Sequence, residues 1–281
     1  MPMSRFLNPA SAACAVALLL TVAAAAPSPR FAQSEAVISV DVELVLAVDV
    51  SYSMDPDEQA LQREGYRLAL TSKEFLNALR EGAHGKIAVT YVEWAGEFDQ
   101  KIVMPWRLID GPEAADAVSA EIGRAPYRRA SRTSITGGLR FSRELFGKGP
   151  YRGLRRVIDV SGDGTNNSGP PVAPMRDEIV KSGITINGLP IMLKRPSRGM
   201  MDIDNLDVYY EDCVTGGAGS FVIPIREREQ FIEATRTKLV QEIAWHTSEP
   251  HVRPVSAAAP RISCTIGEQM WRDRWGGYDF R

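Results

Sequence analysis

From Val42 to Val48 the chain is almost unbrokenly aliphatic, and the run stops at Asp49-Val-Ser51-Tyr-Ser53-Met54. Apolar residues that continue without alternation mark a strand buried on both faces, as at the centre of a parallel sheet. From Asp55 to Arg80 the spacing becomes that of a helix, with Leu61, Tyr66, Leu70, Phe75 and Leu79 on its apolar face. Pro56, Asp57 and Glu58 give its start and Gly82 its stop. The two periods then take turns. Lys86 to Trp94 predicts a second strand, Phe98 to Trp106 its hairpin partner, and Gly111 to Gly123 a helix. Thr133 to Leu139 leads into a helix bearing Phe141, Leu145 and Phe146, followed by a strand from Leu154 to Val160 and a helix from Pro174 to Ser182. Ile184 to Ile191 and Ser220 to Ile225 predict two more strands, and Glu227 to Trp245 a long helix. This order predicts an α/β fold: a doubly wound, mostly parallel sheet with one antiparallel edge strand and helices on both faces. Ligands of such sheets bind at the carboxyl ends of the strands.

Chemistry gathers at those ends. Asp49, Ser51 and Ser53 occupy alternate positions where the first apolar run stops, so three oxygen-bearing side chains can converge. Hard oxygen donors suit a small divalent cation, which wants about six oxygens in its shell. Asp163, between Gly162 and Gly164 after the strand ending at Val160, and Thr133, at the entrance to a helix, supply two more donors. The competing account of Asp-x-Ser-x-Ser is an ordinary strand-to-helix loop whose Asp or Ser caps the next helix.

Composition narrows the field. With 281 residues, 44% hydrophobic and 24% charged, the chain has ample core for one large α/β domain or two small ones. A formal charge of -2 and a pI near 6.0 give no electrostatic footprint for nucleic acid. Arg5, the alanine-rich run from Ala10 to Ala26 and the small residues before Pro27-Ser-Pro-Arg have the layout of a secretory signal peptide over residues 1–33. An uncleaved N-terminal anchor is the alternative; no later stretch is apolar and long enough to span a bilayer. The expected address is periplasmic or secreted. Beyond the signal stand Cys213 and Cys264, which form either a disulfide that ties the C-terminal tail back to the domain or two unpaired thiols. Residues 38–246 form the predicted domain and 247–281 a linker rich in Pro, Ala and Ser with a tail carrying Trp271 and Trp275. His84, His246 and His251 are the histidines, none at the end of a predicted strand, and no Cys or His pair has zinc spacing. No enzyme is expected.

Asp49-Val-Ser51-Tyr-Ser53, then Thr133, then Asp163-Gly164 after an aliphatic strand, resembles a von Willebrand factor type A domain with an intact metal-ion-dependent adhesion site. Tyr91-Val-Glu-Trp94, Ser161 to Asn167 and Tyr209-Tyr-Glu-Asp-Cys213-Val-Thr-Gly-Gly217 resemble an uncharacterised exported bacterial branch of that superfamily. The resemblance implies a Rossmann-like sheet and a magnesium or manganese ion, in preference to calcium. It also implies that Ser51, Ser53 and Thr133 bind the ion through hydroxyls, and Asp49 and Asp163 directly or through water. The last coordination position would go to an Asp or Glu of a protein ligand, and the chain by itself would be monomeric. Two other readings stay open: a structural accessory domain of an envelope complex, and a metal-dependent hydrolase, against which Ser51 stands where a second carboxylate is typical. The insertion from Lys194 to Asp212 departs from the family pattern; Asp202, Asp204 and Asp207 hint at a calcium loop without its Gly and closing Glu. Arg124, Arg128, Arg129 and Arg132 would ring the metal with positive charge and draw in an acidic partner.

Overall fold

The computed structural model describes residues 37–193, 202–244 and 259–275. The proposed signal segment, the start of the insertion and most of the linker lie outside them. Five strands form one sheet: β1 (Ile38–Asp49), β2 (Ile87–Trp94), β3 (Gln100–Ile109), β4 (Tyr151–Gly162) and β5 (Thr185–Pro190), in the order β3-β2-β1-β4-β5. β1 pairs in parallel with both β2 and β4, and β4 with β5. Only β3 is antiparallel, at the edge, where Pro105 removes no ladder bond that a second neighbour needs.

The central place of β1 explains why its sequence does not alternate. Val42, Leu44, Leu46 and Val48 face one core, shared with Tyr66, Phe75, Val118 and Phe231, while Val45 and Ala47 face another, with Ile135, Leu139 and Ile179. Side chains still point to opposite faces in turn, but both faces are covered, so apolar residues stand at every position. Helices α1 (Pro56–Leu70), α2 (Lys73–Arg80), α3 (Pro112–Arg124) and α7 (Phe231–Ile243) cover the first face. Helices α4 (Ile135–Arg143), α5 (Val172–Lys181) and α6 (Leu206–Tyr209) cover the second, and α8 (Ile266–Trp275) is the helix of the tail.

Two expectations change in detail. The helix predicted from Asp55 to Arg80 breaks at Thr71-Ser72, where the Ser72 hydroxyl accepts the Phe75 N–H at 3.2 Å and starts α2 as a separate, capped helix. Residues 220–225 do not become a full strand. They run beside β5 through isolated bridges, Gly188 with Val222 and Ile191 with Ile225, because Pro190 between those bridges has no N–H to donate and the ladder is interrupted there.

Candidate metal centre

β1 and β4 are neighbours whose flanking strands lie on opposite sides, which makes the gap above their carboxyl ends the switch point of the sheet. Asp49 is the last residue of β1 and Gly162 the last of β4, so Asp49 and Asp163 are delivered to the same spot by strand register. The loop leaving β1 is held at its far end by a capping box: the Glu58 N–H bonds Asp55 Oδ1 at 2.8 Å, and the Asp55 N–H bonds Glu58 Oε2 at 2.9 Å.

Within this frame the oxygens converge. The Ser51 N–H donates to Asp49 Oδ1 at 2.7 Å. Ser51 Oγ and Ser53 Oγ are 2.7 Å apart, and Ser53 Oγ donates to Asp163 Oδ1 at 2.6 Å. Thr133 is buried beside this chain, and a side chain on Gly164 would begin 3.8 Å from Thr133 Oγ1. All five residues singled out in the sequence therefore meet at one end of the sheet. Asp49 is fully buried, and its Oδ2 has no hydrogen-bond partner. Burial, and then the charge of Asp163, hold its carboxyl well above the usual carboxylate range.

These observations fit a hard divalent cation. A buried carboxylate oxygen without a donor is costly, and a cation is what removes that cost. Two carboxylates with three hydroxyls are the kind of oxygen donor set that suits a small divalent cation. Among the described residues no three His, Cys, Asp or Glu side chains gather as a metal-binding group, so a cation at this place would have to draw on the hydroxyls as well.

The support around the donors was not read from the sequence. Asn167 clips Thr133 on both sides: the Asn167 N–H donates to Thr133 O at 2.8 Å, and Asn167 Oδ1 accepts the Thr133 N–H at 3.0 Å. Asn166 Oδ1 accepts the Thr136 N–H at 3.1 Å, tying the β4 loop to the start of α4. The signal was present as Asn-Asn after Gly-Thr, polar turn residues that hydrogen-bond nearby backbone.

The insertion and tail also reach this loop. Leu206, Tyr209 and Tyr210 are buried, as are Cys213 and Val214 just beyond, so the second half of the insertion is part of the core. Tyr209 Oη accepts the Asn166 N–H at 3.2 Å. Cys213 is bonded to Cys264, and α8 rests against Asn166, whose Nδ2 donates to Glu268 Oε1 at 2.7 Å. Gly267 packs so closely on Asn166 that a side chain there would begin 2.1 Å from its carbonyl oxygen. Three acidic residues of the insertion face arginines, Asp207 at 2.6 Å from Arg226, and Glu211 and Asp212 each at 2.6 Å from Arg261.

The basic stretch before Thr133 does not form a ring of positive charge. Arg128 bonds buried Glu93 and Asp99, and the Arg132 guanidinium lies 3.2 Å from the centre of the Trp271 ring. Arg129 alone of these is seen at the donor loop, bonding Tyr52 O at 2.7 Å.

A family model described as "Protein of unknown function (DUF1194)" matches residues 39–247. The chain belongs to that family. No curated protein matches this DUF1194 chain by sequence. Among solved structures it is similar to proximal thread matrix protein 1 from the mussel byssus, at 14% identity with a TM-score of 0.54 over 73% of this chain and 49% of that one. A second structure of the byssus protein, "with zinc occupied MIDAS motif", gives 16% identity and a TM-score of 0.52 over 73% and 48%. The pilus adhesin SpaC of Lactobacillus rhamnosus GG gives 13% identity and a TM-score of 0.50 over 73% and 30%. The DUF1194 chain spans about half the length of the byssus protein. The likeness shows the fold, and that fold is of the von Willebrand A type, as the motif order implied.

Proposed function

We propose that this protein is an exported module that binds a protein ligand through a divalent cation, magnesium or manganese, held by Asp49, Ser51, Ser53, Thr133 and Asp163. The observation that carries the reading is the continuous run of oxygens from Ser51 through Ser53 to Asp163 beside a buried Asp49 oxygen without a partner. The cation would supply Lewis acidity toward an outside carboxylate, because two carboxylates neutralise it without enclosing it. The protein's own residues supply the rest. Ser51 N–H fixes the plane of Asp49, Asn167 fixes Thr133, and the capping box fixes the exit of the serine loop. Tyr52, between the two serines, is 59% exposed with Arg129 at 5.4 Å from its ring, an aromatic and arginine pair of the kind enriched where proteins meet. The zinc-occupied site of the byssus protein and the adhesin role of SpaC support the same reading. Among the described residues no helix is long and apolar enough to cross a membrane.

Among the described residues the hydrolase reading finds no histidine at the site. His84, the histidine within the described residues, has its backbone bonded to Asp41 near the opposite end of β1, and Ser161 Oγ accepts from Gln62 in the core. The structural-accessory reading is separated by experiment. Titrating EDTA-stripped protein with magnesium, manganese and calcium by calorimetry should give one site that is lost in Asp163→Ala. Capture of a protein partner should then need the metal and be abolished by Asp49→Ala. Metal binding that raises the melting temperature with no metal-dependent partner would favour the accessory role.

A further inference from the structure

The stretch from Ala130 to Thr133 joins the donor loops of the metal centre. At its start the Ala130 N–H donates to Val50 O at 3.0 Å, beside the bridge that pairs Ala130 with Ser51. At its end Thr133 is clipped by Asn167. Between them Arg132 has a φ of 73°, and among the described residues it is the one residue other than glycine in the left-handed region. That backbone carries a steric cost for an L residue and persists where the surroundings fix it. The Trp271 ring of α8, its centre 3.2 Å from the Arg132 guanidinium carbon, is such a fixture.

Gly267, Glu268 and Trp271 share one face of α8 by their i, i+3 and i, i+4 spacing, and that face meets both donor loops. Glu268 Oε1 accepts from Asn166 Nδ2 at 2.7 Å. Gly267 packs against the same residue, and a Cβ there would run into Asn166 O and Thr165 Oγ1. Asn166 passes the constraint on, because its Oδ1 accepts the Thr136 N–H at 3.1 Å at the start of α4. The disulfide fixes the chain at Cys264, two residues before α8 begins, to the buried Cys213. A tail docked for burial alone would sink its tryptophans into the core. Trp271 is half-buried on a cation next to Thr133, and Trp275 is 47% exposed.

We infer that α8 is a brace of the metal centre, with Trp271 and Glu268 as its positioning residues. Trp271 holds the backbone before Thr133 through Arg132, and Glu268 holds the loop after Asp163 through Asn166. Neither side chain is a ligand of the cation. With the brace in place both loops are set for the metal in advance. Without it only a fraction of the metal-free protein has them so placed, and the apparent affinity falls by that fraction. The inference rests on the proposed metal site and adds the tail as the element that sets how tightly the cation is held.

The test is magnesium titration by calorimetry, with melting curves in EDTA, on wild type, Trp271→Ala, Glu268→Ala, Gly267→Ala and Gln269→Ala, each with the disulfide intact. Trp271→Ala should weaken magnesium binding about threefold to tenfold, the worth of one cation–π contact. Glu268→Ala should weaken it about tenfold, the worth of a hydrogen bond to a charged group. Gly267→Ala removes no bonding group yet forces α8 away from Asn166, so it should weaken binding as well. Gln269 bonds within the tail, to Thr265 Oγ1 at 2.8 Å and Ser263 Oγ at 3.3 Å, and Gln269→Ala should keep wild-type affinity. Wild-type affinity in Trp271→Ala and Glu268→Ala, even with lower melting temperatures, overturns the inference and leaves α8 a stabilising element beside an intact metal site. A loss in Gln269→Ala as large as in the other variants overturns it too, because the effect would not pass through the contacts with the loops. Wild type that binds no divalent cation overturns the metal site and the inference with it.

Discussion

Asp49 and Asp159 are buried to the same degree in adjacent strands, yet they are compensated in opposite ways. Asp159 has its own cation: Lys238 of α7, also fully buried, pairs with it and with Glu242 at 2.5 Å, and Tyr66 adds its hydroxyl at 3.2 Å. Asn187 completes the group by donating to Glu242 at 3.2 Å. Asp49 has a backbone N–H on one oxygen, nothing on the other, and no Lys or Arg partner among the described residues. Moving an ionised carboxylate out of water costs several kcal/mol unless a counter-charge accompanies it. The first carboxylate therefore belongs to the scaffold, closing α7 onto the sheet. The second leaves its counter-charge to come from outside, which is the condition for a site that binds something.

The contrast predicts where the chain breaks most easily. Lys238→Met strands two buried carboxylates at once and should cost about 3–5 kcal/mol in denaturant unfolding. A loss below about 1 kcal/mol would mean that the buried cluster is protonated and needs no lysine. The disulfide comes next. Replacing Cys213 and Cys264 by serine opens a loop spanning 51 positions and should cost about 2–4 kcal/mol, while also loosening the tail from Asn166. Unchanged unfolding would show that α8 docks without its tether.

A smaller effect follows from pH. Burial, and then the charge of Asp159, push Glu242 up to about 7, against 4.5 for an ordinary glutamate. Between those values the folded chain holds a proton that the unfolded chain has released, so this group removes stability as pH rises from about 4.5 to about 7 and adds no further loss above. Glu242→Gln should therefore gain a few degrees in Tm relative to wild type between about pH 5 and about pH 8. A constant difference across that range would place the glutamate's proton elsewhere.

Much of this was legible in the chain itself, and for physical reasons. The unbroken run ending at Asp49 identifies a central strand, because only a strand covered on both faces is apolar at every position. That places Asp49 at a strand's carboxyl end, and the same reading of Val157 to Val160 places Asp163. The break at Thr71-Ser72 was hidden because apolar spacing continues through it, and only the cap shows the new start. Residues 220–225 have strand composition, yet pairing depends on the neighbour's backbone and not on their own side chains. The burial of Tyr209 and Tyr210 was masked by the charged residues around them. Tyr210 and Asp49 both crowd Gly162, and no local pattern connects three residues so far apart in the chain.

The most direct test of the contrast is the melting temperature of wild type and Asp49→Asn, each in EDTA and in excess magnesium. The account predicts that magnesium raises the wild type by several degrees through preferential binding to the folded state, and leaves Asp49→Asn unmoved. It also predicts that Asp49→Asn melts at or above wild type in EDTA, because the variant loses a buried carboxylate that has no internal counter-charge. Asp49→Asn melting far below wild type in EDTA, with magnesium shifting neither, would contradict it and make Asp49 a scaffold residue like Asp159.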